Sequence, residues 1–254
     1  MTQQLTPQTR RERQREATFD EIVASSRALL AEGAELSLRA VAARMGLTAP
    51  ALYRYVASYQ DLVDLVAFEI DRAATDGFRA AAETQPADDP LARLICASVA
   101  FRRWALRDRN EFAVVFANPV ADSHCVRREV ITAWTSGVYM HQLLFDVWQQ
   151  TKYDHPTLDE LDPVVREVMG DPLFPVDMSK VPDEHRGLLW VFMQGWATLY
   201  GTVTLEVFGH MDPRIIESGS LFAVMLGDWL PRLGAADADG RYRELLLAEI
   251  ARTD

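Results

Sequence analysis

Apolar residues recur at helical spacing along most of the chain. No stretch alternates apolar and polar residues over a length that indicates a strand. The pattern predicts an all-α protein, with helices at about 11–31, 38–45, 48–56, from 58 onward, 88–108, 111–117, 123–150, 186–209, 213–232 and 241–252. Between 151 and 184 the chain is acidic and rich in proline, and we expect one short helix there, at about 158–169.

Two short helices with a tight turn between them are predicted within residues 36–62. Ser37 is a suitable N-cap for the first helix, and Gly46 is a natural stop at its end. Thr48 can cap the second helix, and Pro50 fits its first turn, where an amide hydrogen would be unpaired. Such a pair forms a helix-turn-helix, whose second helix fits the major groove of DNA.

The same segment resembles the DNA-binding domain of the TetR family of bacterial regulators. The resemblance covers about the first 60 to 70 residues and rests on Ala42, Ala43, Met45 to Leu47, Ala49 to Tyr53, Tyr55, and Ser58 to Leu62. It implies an N-terminal helix-turn-helix domain at 1–60, with a basic arm at 1–15, and a C-terminal helical ligand-binding and dimerisation domain at 61–254. From the residues alone, the arm is either a disordered tail or a contact to phosphate or the minor groove.

The resemblance also implies which residues contact DNA. It places Arg39 at a base-reading position, where a guanidinium can bond guanine O6 and N7 together. A phosphate contact or a solvated surface position is the alternative for this arginine. The other residues that it indicates lie near base edges (Thr48, Ala49 and Pro50) or at phosphates (Ser37, Tyr53, Tyr55 and Tyr59). The family commonly has lysine at the position of Tyr59, so this chain brings no positive charge there.

The charge is divided unevenly along the chain. The net charge is −11, yet residues 1–57 contain eight arginines against six acidic residues, so the rest of the chain carries −13. Contact with DNA phosphates needs positive charge, and an acidic remainder limits non-specific binding. The division therefore favours a DNA-binding surface in the N-terminal quarter.

Residues 188–208 are apolar nearly all the way round a helix, so this helix must be buried on two sides. The resemblance implies that about 186–233 form a homodimer interface, and a core helix in a monomer is the alternative. A two-fold dimer would hold its recognition helices about 34–36 Å apart, one turn of double-stranded DNA, and predicts a palindromic operator.

The resemblance further implies a small-molecule effector site in the second domain. Such sites are mostly apolar with a few convergent polar groups. The candidates are aromatic residues and nearby amides: Phe101, Trp104, Phe112, Phe116, Trp134, Gln142, Trp148, Gln194 and Trp196. Each aromatic residue could equally belong to the core. The many tryptophans favour a hydrophobic or aromatic effector, whose binding would release a repressor from DNA.

Other classes of function find little support in the sequence. It contains no phosphate-binding glycine loop or nucleophile motif, and His124, Cys125 and His141 do not share a ligand face, so we predict no enzyme, cofactor or metal. No signal peptide or apolar run of membrane length is present, so we expect a cytoplasmic protein without membrane contact. Two alternatives remain: a DNA-binding regulator controlled by a protein partner or by oxidation of Cys96 or Cys125, and an all-helical small-molecule-binding protein without DNA function.

Overall fold

The computed structural model describes residues 9–117, 135–170, 181–235 and 240–252, and no strand occurs among them. Their helices are α1 (Arg10–Ala31), α2 (Leu38–Arg44), α3 (Ala49–Leu52), α4 (Tyr59–Ala82), α5 (Pro90–Arg107), α6 (Arg109–Phe116), α7 (Thr135–Thr151), α8 (Pro163–Gly170), α9 (Arg186–Val207), α10 (Pro213–Ser218), α11 (Ser220–Arg232) and α12 (Arg241–Ala251). Short 3₁₀ turns at Leu158–Glu160 and Asp183–His185 precede α8 and α9. The predicted all-α class is confirmed.

The start of α1 is set by a reciprocal cap. The Thr9 hydroxyl accepts a hydrogen bond from the amide of Glu12 (3.3 Å), and the Glu12 carboxylate accepts one from the amide of Thr9 (2.7 Å). Residues 10–15, which were predicted to be part of a basic arm, are therefore the first turns of a helix. The remainder of that predicted arm, residues 1–8, lies outside the described residues.

The turn between α2 and α3 follows from one glycine. Gly46 has a φ of +67°, a backbone conformation that glycine adopts without strain. The amides of Gly46 and Leu47 donate to the carbonyls of Ala43 (3.1 Å) and Ala42 (2.8 Å), the two bonds of a Schellman motif. The predicted stop at Gly46 is confirmed, and α3 begins two residues after Leu47.

The predicted helix at 213–232 is wrong in one respect, because the structure contains two helices there. Gly219, with a φ of +64°, separates α10 from α11. The guanidinium of Arg102 reaches the break and donates to the carbonyl of Ile216 (2.5 Å), so a carbonyl near the end of α10 has a partner outside its own helix. The predicted helix at 158–169 is likewise divided into a 3₁₀ turn and α8, and of the predicted helix at 123–150 the structure describes only the part from Thr135 onward.

The first of two compact units lies within Met1–Ile70 and Asn110–Pro119. Its core consists of buried aliphatic side chains from α1 to α4, including Ile22, Val41, Leu52, Val56, Leu62 and Val66. Helix α6 from Asn110 onward belongs to the same unit. The Glu111 carboxylate accepts two hydrogen bonds from Arg27 (2.6 and 3.1 Å), and the Asn110 amide donates to the carbonyl of Leu30 (2.8 Å).

The second unit lies within Asp71–Arg109 and Val120–Asp254. Helix α5 is its central element, buried along most of its length and packed against α7, α9 and α12. Phe78, Phe101 and Trp104 form an aromatic cluster with ring centroids 5.7 to 6.1 Å apart. Within the described residues, no helix combines the length and the apolar character needed to cross a membrane.

Candidate DNA-recognition surface and effector cavity

The recognition element of the first unit is short and tightly wound. Ser37 caps α2 by accepting a hydrogen bond from the amide of Ala40 (3.2 Å). Helix α3 has only four residues, but the amides of Tyr53 and Val56 still donate to carbonyls four residues back, so helical winding continues to Val56. Leu52 and Val56 are buried. The opposite side of this turn is left to solvent.

The exposed side of the helix-turn-helix carries most of the predicted DNA contacts. Arg39, Thr48 and Pro50 are exposed, and the Thr48 side chain makes no capping hydrogen bond. Tyr53 and Tyr59 are 51% and 50% exposed, which is high for aromatic side chains. Exposed phenols can donate to phosphate oxygens.

Two other predicted contacts have structural roles within the unit. The half-buried Tyr55 packs its ring edge-to-face against Phe19 of α1, with centroids 5.8 Å apart. Ser37 uses its oxygen as the cap of α2, although its hydroxyl hydrogen can still be donated. Ala49 is half-buried at the start of α3.

The arginines of this region differ in their availability. Arg44 forms a bidentate pair with Glu32 (2.6 and 2.8 Å), and this hydrogen bonding lowers the pKa of the Glu32 carboxyl. Arg39 and Arg54 have no hydrogen-bond or ion-pair partner among the described residues. Arg54 was not among the predicted contacts. Its signal in the sequence is its position directly after Tyr53, on the exposed side of the recognition turn.

A small apolar cavity lies in the second unit, between α5, α7, α9 and α11. Its volume is about 60 Å³, and its walls are Leu94, Ser98, Met140, Leu144, Phe192, Gly195, Trp196, Leu199, Met225, Leu226, Trp229 and Leu233. None of these lining residues carries a charge. The Trp229 ring packs on the backbone of α9 at Gly195, where a Cβ would lie 3.7 Å from the ring.

The family of this chain follows from comparison with known proteins. A family model described as the tetracyclin repressor-like, C-terminal domain matches residues 94–229, more than half of the chain. The chain belongs to the TetR family. The TetR family consists of DNA-binding transcriptional regulators and not of enzymes, so the predictions of a helix-turn-helix regulator and of no enzyme are confirmed.

Relatives agree with this assignment. The HTH-type transcriptional regulators Rv1816 of Mycobacterium tuberculosis (strain ATCC 25618 / H37Rv) and Mb1846 of Mycobacterium bovis (strain ATCC BAA-935 / AF2122/97) are each 26% identical to this chain over 204 residues, covering 75% of this chain and 82% of the relative. The crystal structure of SCO4313, a protein assigned a regulatory role, superposes with a TM-score of 0.60 at 23% identity. The superposition covers 89% of this chain and 100% of SCO4313, which shows that the two chains share a fold.

The predicted effector residues of this TetR-family chain do not converge on one site. Trp196 is the described member of the predicted set that lines the cavity. Phe101 and Trp104 instead pack in the core with Phe78, because they lie on the buried side of α5. Phe112 and Phe116 contact each other within the first unit, with centroids 5.3 Å apart.

The remaining predicted effector residues lie elsewhere in the second unit. Gln142 donates to Asp146 (2.8 Å), and Gln194 accepts from Arg232 (2.8 Å). The Trp148 ring packs against His185, with centroids 4.5 Å apart. Trp134 lies outside the described residues. Their assignment to an effector site remains a prediction that this cavity does not support.

Most of the cavity wall was not predicted from the sequence. Met225 and Trp229 lie four residues apart on α11, within the segment that was assigned to the dimer interface. A helix that is apolar on most sides does not show by its periodicity which side faces a cavity. Ser98 carried no signal, since a lone serine within an apolar helix is common.

Burial favours the uncharged form of two titratable groups of the second unit. Burial raises the pKa of the Cys96 thiol to about 11, so this cysteine is almost entirely protonated at neutral pH. Burial lowers the pKa of His141, whose Nδ1 atom has no hydrogen-bond partner and whose ring packs edge-on against Phe192. His124 and Cys125 lie outside the described residues.

Proposed function

We propose that this TetR-family regulator is a dimeric repressor, released from a palindromic operator by a small, mainly apolar molecule. The observation that carries the proposal is the cavity between four helices of the second unit, whose described walls carry no charge. The first unit of the same chain contains a helix-turn-helix with one side exposed to solvent. We assign residues 1–60 to DNA binding and 61–254 to effector binding and dimerisation.

The exposed side of the helix-turn-helix supports specific contact with DNA. Arg39 has no competing partner in the part of the chain that the structure describes, so we infer that its guanidinium is available to a guanine edge. The exposed residues Tyr53, Tyr59 and Thr48 supply hydroxyl groups for phosphates or base edges. Arg54 adds a second cation without a partner among the described residues, and it can supply part of the charge that the lysine commonly found at the position of Tyr59 would bring.

An outward apolar stripe on α9 supports the dimer interface. Residues spaced three to four apart present exposed or half-exposed apolar or small side chains: Met193, Ala197, Gly201, Leu205 and Phe208, the last at the C-cap. Leu221 and Val224 of α11 are exposed too. Such faces are buried on association, and a stripe that contains Gly201 allows a second helix to approach closely.

The size of the cavity supports release by displacement. A volume of about 60 Å³ is small beside the roughly 300–1,000 Å³ of typical small-molecule sites. An effector of ordinary size therefore has to move the lining helices apart in order to bind. The flexible side chains of Met140 and Met225 ease this adjustment. A ligand that binds one arrangement of these helices better than another shifts the population between them.

Selection of genomic DNA fragments by the purified protein tests the operator. The wild-type protein, Arg39→Ala and Arg214→Ala are compared at two salt concentrations; Arg214 is a matched control, because it is an exposed arginine of the second unit. We expect a short palindrome from the wild-type and Arg214→Ala proteins and its loss with Arg39→Ala. Salt-sensitive binding without sequence preference, alike in all three, would contradict the proposal.

Sedimentation analysis tests the interface. Leu205→Arg places a charge in the outward stripe of α9, whereas Val138→Arg places one at an exposed apolar position of α7. We expect Leu205→Arg to be monomeric and to bind the operator at least tenfold more weakly, with Val138→Arg unchanged. A dimer that survives Leu205→Arg would exclude this face as the interface.

A further inference from the structure

The Ser98 side chain is buried, and its hydroxyl has no hydrogen-bond partner among the described residues. It lies on α5, is 2% exposed and lines the cavity. Among other buried hydroxyls, those of Ser26 and Thr75 donate to the carbonyls of Ile22 and Asp71, both at 2.7 Å, one turn back along their helix. The hydroxyls of Ser136, Tyr153 and Thr204 have no partner among the described residues, but these residues are not among those that line the cavity. Ser98 makes no such bond, and no other, among the described residues. Since buried polar groups in folded proteins are nearly always paired, this hydroxyl is available to a bound molecule.

The rest of the wall excludes a charged group. Apart from Ser98 and the indole groups of Trp196 and Trp229, the lining side chains that the structure describes are hydrocarbon or thioether. No arginine, lysine or histidine is among the described lining residues, so a carboxylate or phosphate would be buried there without a counter-charge from them. A wholly apolar molecule would leave the Ser98 hydroxyl unpaired.

We propose that the effector is an uncharged, mainly hydrocarbon molecule with one hydroxyl or carbonyl group, and that this group pairs with Ser98. The inference rests on the proposed effector cavity. The aliphatic and aromatic walls bind the body of the molecule without directional preference, whereas Ser98 fixes its orientation from the α5 side.

Three probes of one size and three polarities test the inference: toluene, benzyl alcohol and sodium benzoate. Their dissociation constants are measured by NMR titration with the full-length wild-type protein, Ser98→Ala and Ser26→Ala. Ser26→Ala is the matched control, because it removes a buried hydroxyl from the first unit. Leu199→Phe, which adds volume to the cavity wall, shows whether binding occurs in the cavity. Circular dichroism verifies that each variant is folded.

We expect Ser98→Ala to bind benzyl alcohol about tenfold more weakly, as for one lost hydrogen bond. Ser98→Ala should bind toluene as tightly as the wild type or more tightly, and Ser26→Ala should match the wild type with every probe. Leu199→Phe should bind neither toluene nor benzyl alcohol. Equal binding of benzyl alcohol by the wild type and Ser98→Ala, or tighter binding of benzoate than of benzyl alcohol, would overturn the inference while leaving an apolar effector cavity in place. Binding of no probe would overturn both the inference and the proposed cavity.

Discussion

Replacing Arg102 by methionine removes the partner of a buried carboxylate. The Arg102 and Glu206 side chains are 8% and 0% exposed, and Nε lies 2.6 Å from Oε2. The same guanidinium donates to the carbonyl of Ile216 and lies over the ring of Phe222, 5.4 Å from its centroid. One side chain thereby joins α5 to α9, α10 and α11. Methionine keeps much of the length and apolar contact of the arginine stem but none of its hydrogen bonds.

We expect Arg102→Met to lower the free energy of unfolding by about 3–5 kcal/mol. This is the range typical when one partner of a buried ion pair is removed, because the remaining charge is left uncompensated in the interior. The other carboxylate oxygen of Glu206, Oε1, is already buried without a hydrogen-bond partner. Without Arg102, the negative charge of Glu206 therefore loses the partner that Oε2 now has. A loss of this size is a large share of the stability of an ordinary domain.

The loss should depend on pH with a defined sign. Burial raises the pKa of Glu206, and the hydrogen bond and charge of Arg102 oppose that rise. Without Arg102 the pKa in the folded protein rises further, while in the unfolded chain it keeps its usual value. The folded variant then favours the protonated carboxyl, so its free energy of unfolding decreases as the pH rises above about 4.5 and through the higher folded pKa. The defect should be smaller at pH 5 than at pH 8.

Urea unfolding followed by circular dichroism, at one fixed protein concentration and at both pH values, measures these quantities. Arg214→Met is the control, because the Arg214–Asp212 pair is exposed to solvent, and we expect no measurable change. The double variant Arg102→Met, Glu206→Leu should recover most of the loss, since an apolar pair replaces the charges. A loss below about 1 kcal/mol in Arg102→Met at pH 8, or one that is larger at pH 5, would refute the reasoning.

Three further predictions concern single residues. Gly187→Ala should lower the melting temperature by several degrees, because its Cβ would overlap the Pro156 carbonyl. Gly77→Ala, on the exposed side of α4 with open space around it, should raise the free energy of unfolding by about 0.5–1 kcal/mol. Equal melting temperatures of the two variants would contradict this reasoning. Iodoacetamide at pH 8 should label Cys96 far more slowly in the folded protein than in urea, because burial raises the pKa of its thiol to about 11. Mass spectrometry measures the labelling. Rapid labelling of the folded protein would favour oxidation of Cys96 as the signal that controls the regulator. Since burial lowers the pKa of His141, the free energy of unfolding should decrease as the pH falls below about 6.5, and His141→Phe should flatten that decrease; an unchanged pH profile would exclude His141 as its source.

The elements of the recognition region could be predicted because their signals are local. Gly46, and Ser58 with Asp61, each act within a few residues of the helix end that they define. In the last case the Ser58 hydroxyl accepts from the amide of Asp61 (3.0 Å), and the Asp61 carboxylate accepts from the amide of Ala57 (3.0 Å). Interactions of this range are fully contained in a short stretch of sequence.

The errors of prediction arise where distant residues decide the local structure. The break between α10 and α11 involves Arg102, more than a hundred residues earlier in the chain, which supplies the donor for Ile216. The return of α6 to the first unit depends on Asn110 and Glu111 meeting residues of α1, about eighty residues away. Helical periodicity defines the apolar side of a segment but not the segment that covers it. No local signal could have shown these pairings.

The same limit explains why the predicted effector residues were scattered. Burying the aromatic side chains of α5 and α6 stabilises the folded protein equally in a closed core and beside a ligand site, because the hydrophobic effect is not directional. Phe101 and Trp104 are enclosed by neighbouring rings, whereas Trp196 and Trp229 border empty space, and this difference lies in the packing of four helices. The proposed effector site therefore rests on two features together: a polar group without a hydrogen bond among the described residues, and its place on a cavity wall. Ser98 has both features, and the number of tryptophans indicates neither.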